Sequence, residues 1–223
     1  MSAVEQTLKE IKATVFSLRD GATAASMRQK GAGGALNMGL SIPQIREVAT
    51  GYPPSRELSD ALLHHQLREL KLLGILLFPK EDADAVQIVR LLREVSSREA
   101  AELLAYHLVA QAQDFDSIIQ SLLATPTMPY ALETAYNALA RRLLTELPLS
   151  LEYIGRALDA IETAPELPPS ALHLAIRLAE TPQTRELIKE RLLQWNKGNR
   201  DILKRLSAVL SETADLHGPT SQP

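Results

Sequence analysis

The chain has 223 residues, 45% of them hydrophobic, 23% charged and 4% aromatic, with no cysteine and a formal net charge of −3. That is enough chain to bury a core in one or two domains, and the missing thiols exclude disulfide staples, thiolate metal sites and a cysteine nucleophile. The longest apolar run, Leu72 to Phe78, is far shorter than a bilayer-spanning helix, and the start Met1-Ser2-Ala3-Val4-Glu5 lacks the basic and apolar pattern of a signal peptide, so a cytoplasmic protein without membrane contact is expected.

Leu, Ala, Glu, Arg and Gln dominate, and alternating β-branched runs between turn residues are missing, so the whole chain reads as helix. Helices are predicted at about 3–18, 23–30, 42–50, 55–64, 67–77, 81–95, 97–112, 115–123, 128–145, 150–163, 168–180, 183–195 and 199–211. Ser41-Ile42-Pro43-Gln44 and Ser96-Ser97-Arg98-Glu99 carry capping signals, and Pro79 stops the helix ending at Phe78. Alternate helices begin near 67, 97, 128 and 168, a pair period of about 30 to 40 residues. The expected fold is therefore all-α: a right-handed superhelix or solenoid of HEAT-like helix pairs over residues 1–212, with a small, polar, disordered tail at 213–223.

Charge is unevenly spread. From Glu99 to Glu166 there are three arginines against ten carboxylates, a balance of −7, whereas Arg177 to Arg205 carries eight basic residues against four acidic ones, or +4. A polyanion would prefer the C-terminal part.

Few motifs carry chemistry by themselves. The loop from Gly31 to Gly39 fails both phosphate patterns, since a dinucleotide fingerprint needs glycine where Leu36 stands and a P-loop needs Gly-Lys-Ser or Gly-Lys-Thr where Gly39 is followed by Leu40. It reads as a connector, or as an anion contact through the capped helix start at Ser41. The histidines, His64, His65, His107, His173 and His217, show no metal-ligand spacing, so neither metal nor cofactor is expected. Three helices do carry polar columns at helical spacing: Arg98, Glu102 and Tyr106; Glu133, Asn137 and Arg141; His173 and Arg177. They are either the ordinary solvated stripe of a solenoid helix or the lining of a groove that meets phosphate through Arg98, Arg141 and Arg177.

The stretch Ser26-Met27-Arg28-Gln29-Lys30, the Asn37-Met38-Gly39 loop end, Leu40-Ser41-Ile42-Pro43-Gln44-Ile45-Arg46 and the helix opening Leu67-Arg68-Glu69-Leu70 resemble the HEAT-repeat DNA alkylation repair glycosylases of the AlkD-like family. The resemblance implies a concave DNA-binding groove. It also implies excision of cationic alkylated bases by aromatic walls, an aspartate that stabilises the oxocarbenium ion and an arginine on the backbone. This chain departs from that set. Ala105 stands where the aspartate aligns, Glu133 and Thr134 where the arginine is expected, and Ala175 and Ile176 in place of the second wall. The single tryptophan, Trp195, falls on a later helix and is expected to pack there.

Three readings follow. The first is a divergent family member, monomeric, that binds damaged or branched DNA through Arg68, Arg98, Tyr106, Asn137, Arg141, His173 and Arg177 with its catalytic set missing. The second is an altered alkylpurine glycosylase using Glu102, and the third is a scaffold whose acidic middle holds a basic protein partner.

Overall fold

The computed structural model describes residues 2–30, 36–145, 147, 149–164, 166–197, 203, 204, 207, 208 and 210. Most of the predicted helix at 199–211, the tail at 213–223 and residues 31–35 of the glycine-rich loop lie outside the described residues. Within them the chain is all-α, with twelve α-helices, two 3-10 turns and no strand. The helices are α1 (Ala3–Ser17), α2 (Gly21–Gln29), α3 (Ile42–Thr50), α4 (Arg56–Leu63), α5 (Arg68–Leu76), α6 (Ala85–Leu92), α7 (Arg98–His107), α8 (Phe115–Ala124), α9 (Ala131–Arg142), α10 (Leu151–Thr163), α11 (Pro169–Glu180) and α12 (Pro182–Lys197). They fall into two compact units, Met1–Thr134 and Ala135–Pro223.

Side-chain caps set most of the helix starts. Ser41 and Gln44 form the full capping box that opens α3, with Pro43 in the first turn, and Ser97 Oγ accepts the Ala100 N–H to open α7. Three predicted helices are shorter than expected. The segment predicted as one helix at 81–95 starts as a 3-10 turn at Lys80–Asp82 and restarts at Ala85, because Asp84 Oδ1 takes the Gln87 N–H at 2.7 Å and caps a new helix. The helix predicted at 97–112 ends at His107, where Leu108 leads into a 3-10 turn at Val109–Gln111. Near the predicted start at 128, α9 begins only at Ala131, after Tyr130 has adopted a left-handed φ of 63°.

In the first unit α3, α5 and α7 are successive neighbours, α6 packs on α8, and α4 packs on both α5 and α1. Cross-links at a similar sequence offset join these layers: Glu69 to Met38, Arg68 to Glu99, His107 to Leu76 and Lys80 to Gln111 at 31 residues, Arg90 to Asp60 at 30, and Arg98 to Glu133 at 35. That regularity is the mark of a helical repeat. The central helix α5 is buried almost all round, and Leu70, Leu72, Leu73 and Ile75 each contribute about 1.5 to 3 kcal/mol by leaving water. Close approach of α4 depends on Gly74, since a Cβ there would lie 2.7 Å from Leu63 Cγ, while Ser59 Oγ donates to the Gly74 carbonyl at 2.7 Å. In the second unit α11 packs on α12, and Arg191 of α12 bridges Asp159 and Glu162 of α10.

Candidate nucleic-acid interface

Three helices of the first unit open with Arg-Glu, at Arg56-Glu57 on α4, Arg68-Glu69 on α5 and Arg98-Glu99 on α7, and the last two begin helices that pack against each other. The Arg68 side chain is 5% exposed. Its Nε and Nη2 donate to the two Glu99 oxygens at 2.6 Å each, and its Nη1 donates to the Leu40 carbonyl at 2.8 Å and Glu69 Oε1 at 2.9 Å. Glu69 in turn accepts the Met38 and Leu40 N–H groups. Burial alone would lower the Arg68 pKa, but the Glu99 and Glu69 carboxylates outweigh it and hold the group above its usual value. Arg68 is therefore a clamp inside the repeat stack. It leaves the set of residues expected to reach phosphate, because its donors are spent on protein acceptors away from solvent.

Arg98, Glu102 and Tyr106 follow one another along α7 as the spacing predicts. Arg98 is 67% exposed and its Nε donates to Glu133 Oε1 at 3.2 Å. One turn on, Glu102 is exposed, with no hydrogen bond or ion pair among the described residues; Tyr106 is half-buried. The alanines between them, Ala101 and Ala105, are fully buried, so Arg98 and Glu102 carry the exposed part of this helix surface. Beside its start, Tyr130 donates its hydroxyl to the Ser96 carbonyl at 3.3 Å. Its left-handed backbone is costly for a bulky residue, and no motif in the sequence announces it. The adjoining hollow, lined by Gln66, Arg68, Lys71, Leu72, Ser96, Ser97 and Ala100, holds about 40 Å³, roughly one water molecule. That is too little space for an extruded nucleobase.

A second group of charges gathers at the other end of α5 and α7. His107 Nε2 donates to the Leu76 carbonyl at 3.0 Å, and Lys80 Nζ donates to Gln111 Oε1 at 2.8 Å. Burial, then Lys80 and Arg46, push the His107 pKa down to about 4, so the ring is neutral near pH 7 while two cations stand near it. Arg46 is exposed and makes no ion pair among the described residues. It lies on α3 within the Leu40 to Arg46 stretch that carries the family resemblance, although that stretch did not single it out as a binding residue.

The other predicted groove residues belong to the second unit. Asn137 is buried, Arg141 is exposed, His173 is half-buried, and Arg177 Nη1 is engaged by Glu180 Oε2 at 2.7 Å. Of the predicted columns, Arg98 and Glu133 pair across two helices. Ala175, matched to the second aromatic wall, is fully buried, and Trp195 is 2% exposed within α12, consistent with a packing role. Among the described residues no three His, Asp or Glu side chains group as metal ligands, and no helix is long and apolar enough to cross a membrane.

A family model described as DNA alkylation repair enzyme matches residues 11–127, slightly more than half of the chain. No curated protein and no solved structure matches. The matched stretch runs from within α1 to just beyond α8, so Arg68, Arg98, Glu102 and Tyr106 lie inside it and Asn137, Arg141, His173 and Arg177 lie outside.

Proposed function

The chain belongs to the DNA alkylation repair enzyme family, and from that premise we propose that it is a divergent member that binds the DNA backbone and has lost base excision. Arg98 and Arg46 supply exposed cations of the first unit for phosphate, with Lys80, like Arg46, near His107, and Tyr130 lies at the start of α7 through its bond to Ser96.

The observation that carries this reading is the state of α7. Its accessible carboxylate, Glu102, stands in water, while the residue matched to the catalytic aspartate is a buried alanine. A carboxylate about 4 Å from a developing cation contributes only about 1 kcal/mol in bulk water, whereas a positioned electrostatic group in a closed site is worth about 2.7 to 4 kcal/mol. An exposed arginine loses nothing by being wet, because phosphate binding is driven by counterion release.

The test is fluorescence anisotropy with a labelled duplex and a labelled four-way junction over a salt series, with release of 3-methyladenine and 7-methylguanine followed on alkylated DNA. The expected result is affinity that falls linearly in log-log form with salt, and no base release. Absence of binding, or binding indifferent to salt, would remove the DNA reading. Base release abolished by Glu102→Gln would replace it with an altered glycosylase that uses Glu102.

A further inference from the structure

The outer face of α6 breaks the pattern expected of a helix whose inner side is already satisfied. Ile88, Leu91 and Leu92 are buried in the core. The opposite side carries Val86, Val89, Arg90 and Arg93, which at i, i+3, i+4 and i+7 form one continuous stripe. Val86 is 73% exposed. Together with Ala85 and Ser121 of α8, these side chains line an open depression of about 470 Å³.

Its charge has one sign. Arg90 is held by Gln87 Oε1 at 3.0 Å and by the Asp60 carboxylate at 2.7 Å, and its Nη2, which has no hydrogen-bond partner, is buried. Arg93 is exposed and makes neither a hydrogen bond nor an ion pair among the described residues. No carboxylate lines the depression, although the chain as a whole is acidic. An apolar floor edged by Arg90 and by the exposed, unpaired Arg93 suits a segment that combines apolar and acidic side chains. Bare phosphate backbone would leave Val86 and Val89 without a partner.

We propose that the α6–α8 face is a docking site for an acidic amphipathic peptide segment of a partner protein. Apolar side chains rest on Val86 and Val89, and a carboxylate pairs with the free guanidinium of Arg93, by the same helical spacing that groove-bound peptides use. The site is separate from the exposed α7 surface carried by Arg98 and Glu102, so the chain could hold DNA and a protein at different residues.

The test pans a phage-displayed random peptide library against the full chain and measures the selected peptides, fluorescein-labelled, against the wild type, Val86→Asp and Arg93→Glu. Both substitutions are at exposed side chains, and unchanged circular dichroism melting verifies that the variants fold. The expected consensus pairs Leu, Ile or Phe with Asp or Glu, and each substitution weakens binding at least tenfold. Replacing the peptide's acidic residues by Lys should restore binding to Arg93→Glu and abolish it for the wild type. Selection of basic or featureless peptides, or peptide affinity unmoved by both variants, overturns the proposal. Loss of duplex DNA affinity in Arg93→Glu equal to that in Arg98→Ala also overturns it, by making this face part of the DNA surface.

Discussion

Arg68 and Arg98 occupy the same place in consecutive helix pairs, each the first residue of its helix, each followed by glutamate, each reaching a glutamate of the next layer. Their side chains are 5% and 67% exposed. Near the middle of the stack the repeat surrounds the guanidinium and turns it into a bolt; farther along, the same residue meets water and remains available to a ligand. Identical sequence in a repeat protein therefore does not imply identical work, because the neighbouring layers decide how much water each copy sees.

The largest expected effect comes from drawing the bolt. Arg68→Ala leaves fully buried Glu69 and half-exposed Glu99 without their counter-charge, at a cost of about 3 to 5 kcal/mol and with a drop in Tm measurable by calorimetry. Arg68→Ala with Glu99→Ala should recover part of that loss in a double-mutant cycle. Gly39→Ala attacks the other end of the same device. Gly39 has a φ of +82°, and a Cβ there would lie 2.3 Å from the Asp20 carbonyl oxygen, so about 2 kcal/mol or more should be lost from backbone strain and the collision. Chemical denaturation with and without the substitution measures it, and an unchanged midpoint would mean that the 36–40 segment is not held as described.

The contrast between the two arginines marks where sequence reasoning reached its end. Helix positions were legible because each is signalled locally: Ser41 and Ser97 by their caps, Pro79 as a stop, and α9 to α11 by apolar spacing. Local competition hid the break at Asp84, whose carboxylate can sit within a helix or begin one, and the sequence decides this only through neighbours that pack on Ala85 to Leu92. The exposure of Arg98 and Glu102 followed from their place in the polar column. The burial of Arg68 did not, since nothing within its own helix reports that Leu40, Glu69 and Glu99 converge on it from 28, 1 and 31 residues away. Tyr130 and the approach of Lys80 and Arg46 to His107 depend likewise on loop geometry, and the acidic bias of residues 99–166 gave no hint of an arginine-rimmed depression on α6.

A smaller effect probes the opposite ends of the same two helices. Arg68 with Glu99 ties α5 to α7 at their starts, and His107 ties them at their ends through the Leu76 carbonyl. Its folded pKa of about 4 lies below the ordinary imidazole value of 6.5, so in between the unfolded chain binds the proton more readily. The contribution is complete above pH 6.5 and is lost as pH falls through that value towards 4. With the ring still partly open to solvent, the loss is about 1 to 2 kcal/mol. His107→Gln keeps a donor for Leu76 and cannot titrate, so its stability should vary less with pH over that interval, as equilibrium unfolding at several pH values will show. An equal slope in both proteins would mean that His107 is protonated at the same pH folded and unfolded.

The least costly change for the fold should be the most informative for function. Arg98→Ala removes a 3.2 Å pair between a largely exposed guanidinium and the more buried Glu133, and a pair open to solvent on one side contributes about 1 kcal/mol to stability. If Arg98 meets a phosphate, the variant should bind duplex DNA more weakly, and its plot of log K against log salt should be shallower by about 0.9, the value for one contact on B-DNA. Arg98→Lys keeps the charge and should restore the slope even where it loses geometry, which separates counterion release from a specific fork-shaped contact. Arg68→Lys, retaining charge inside the clamp, should leave the slope alone and lower stability. An unchanged slope in Arg98→Ala, with intact folding, would make Arg98 as structural as Arg68 and move the search for the DNA surface to Arg46 and Lys80.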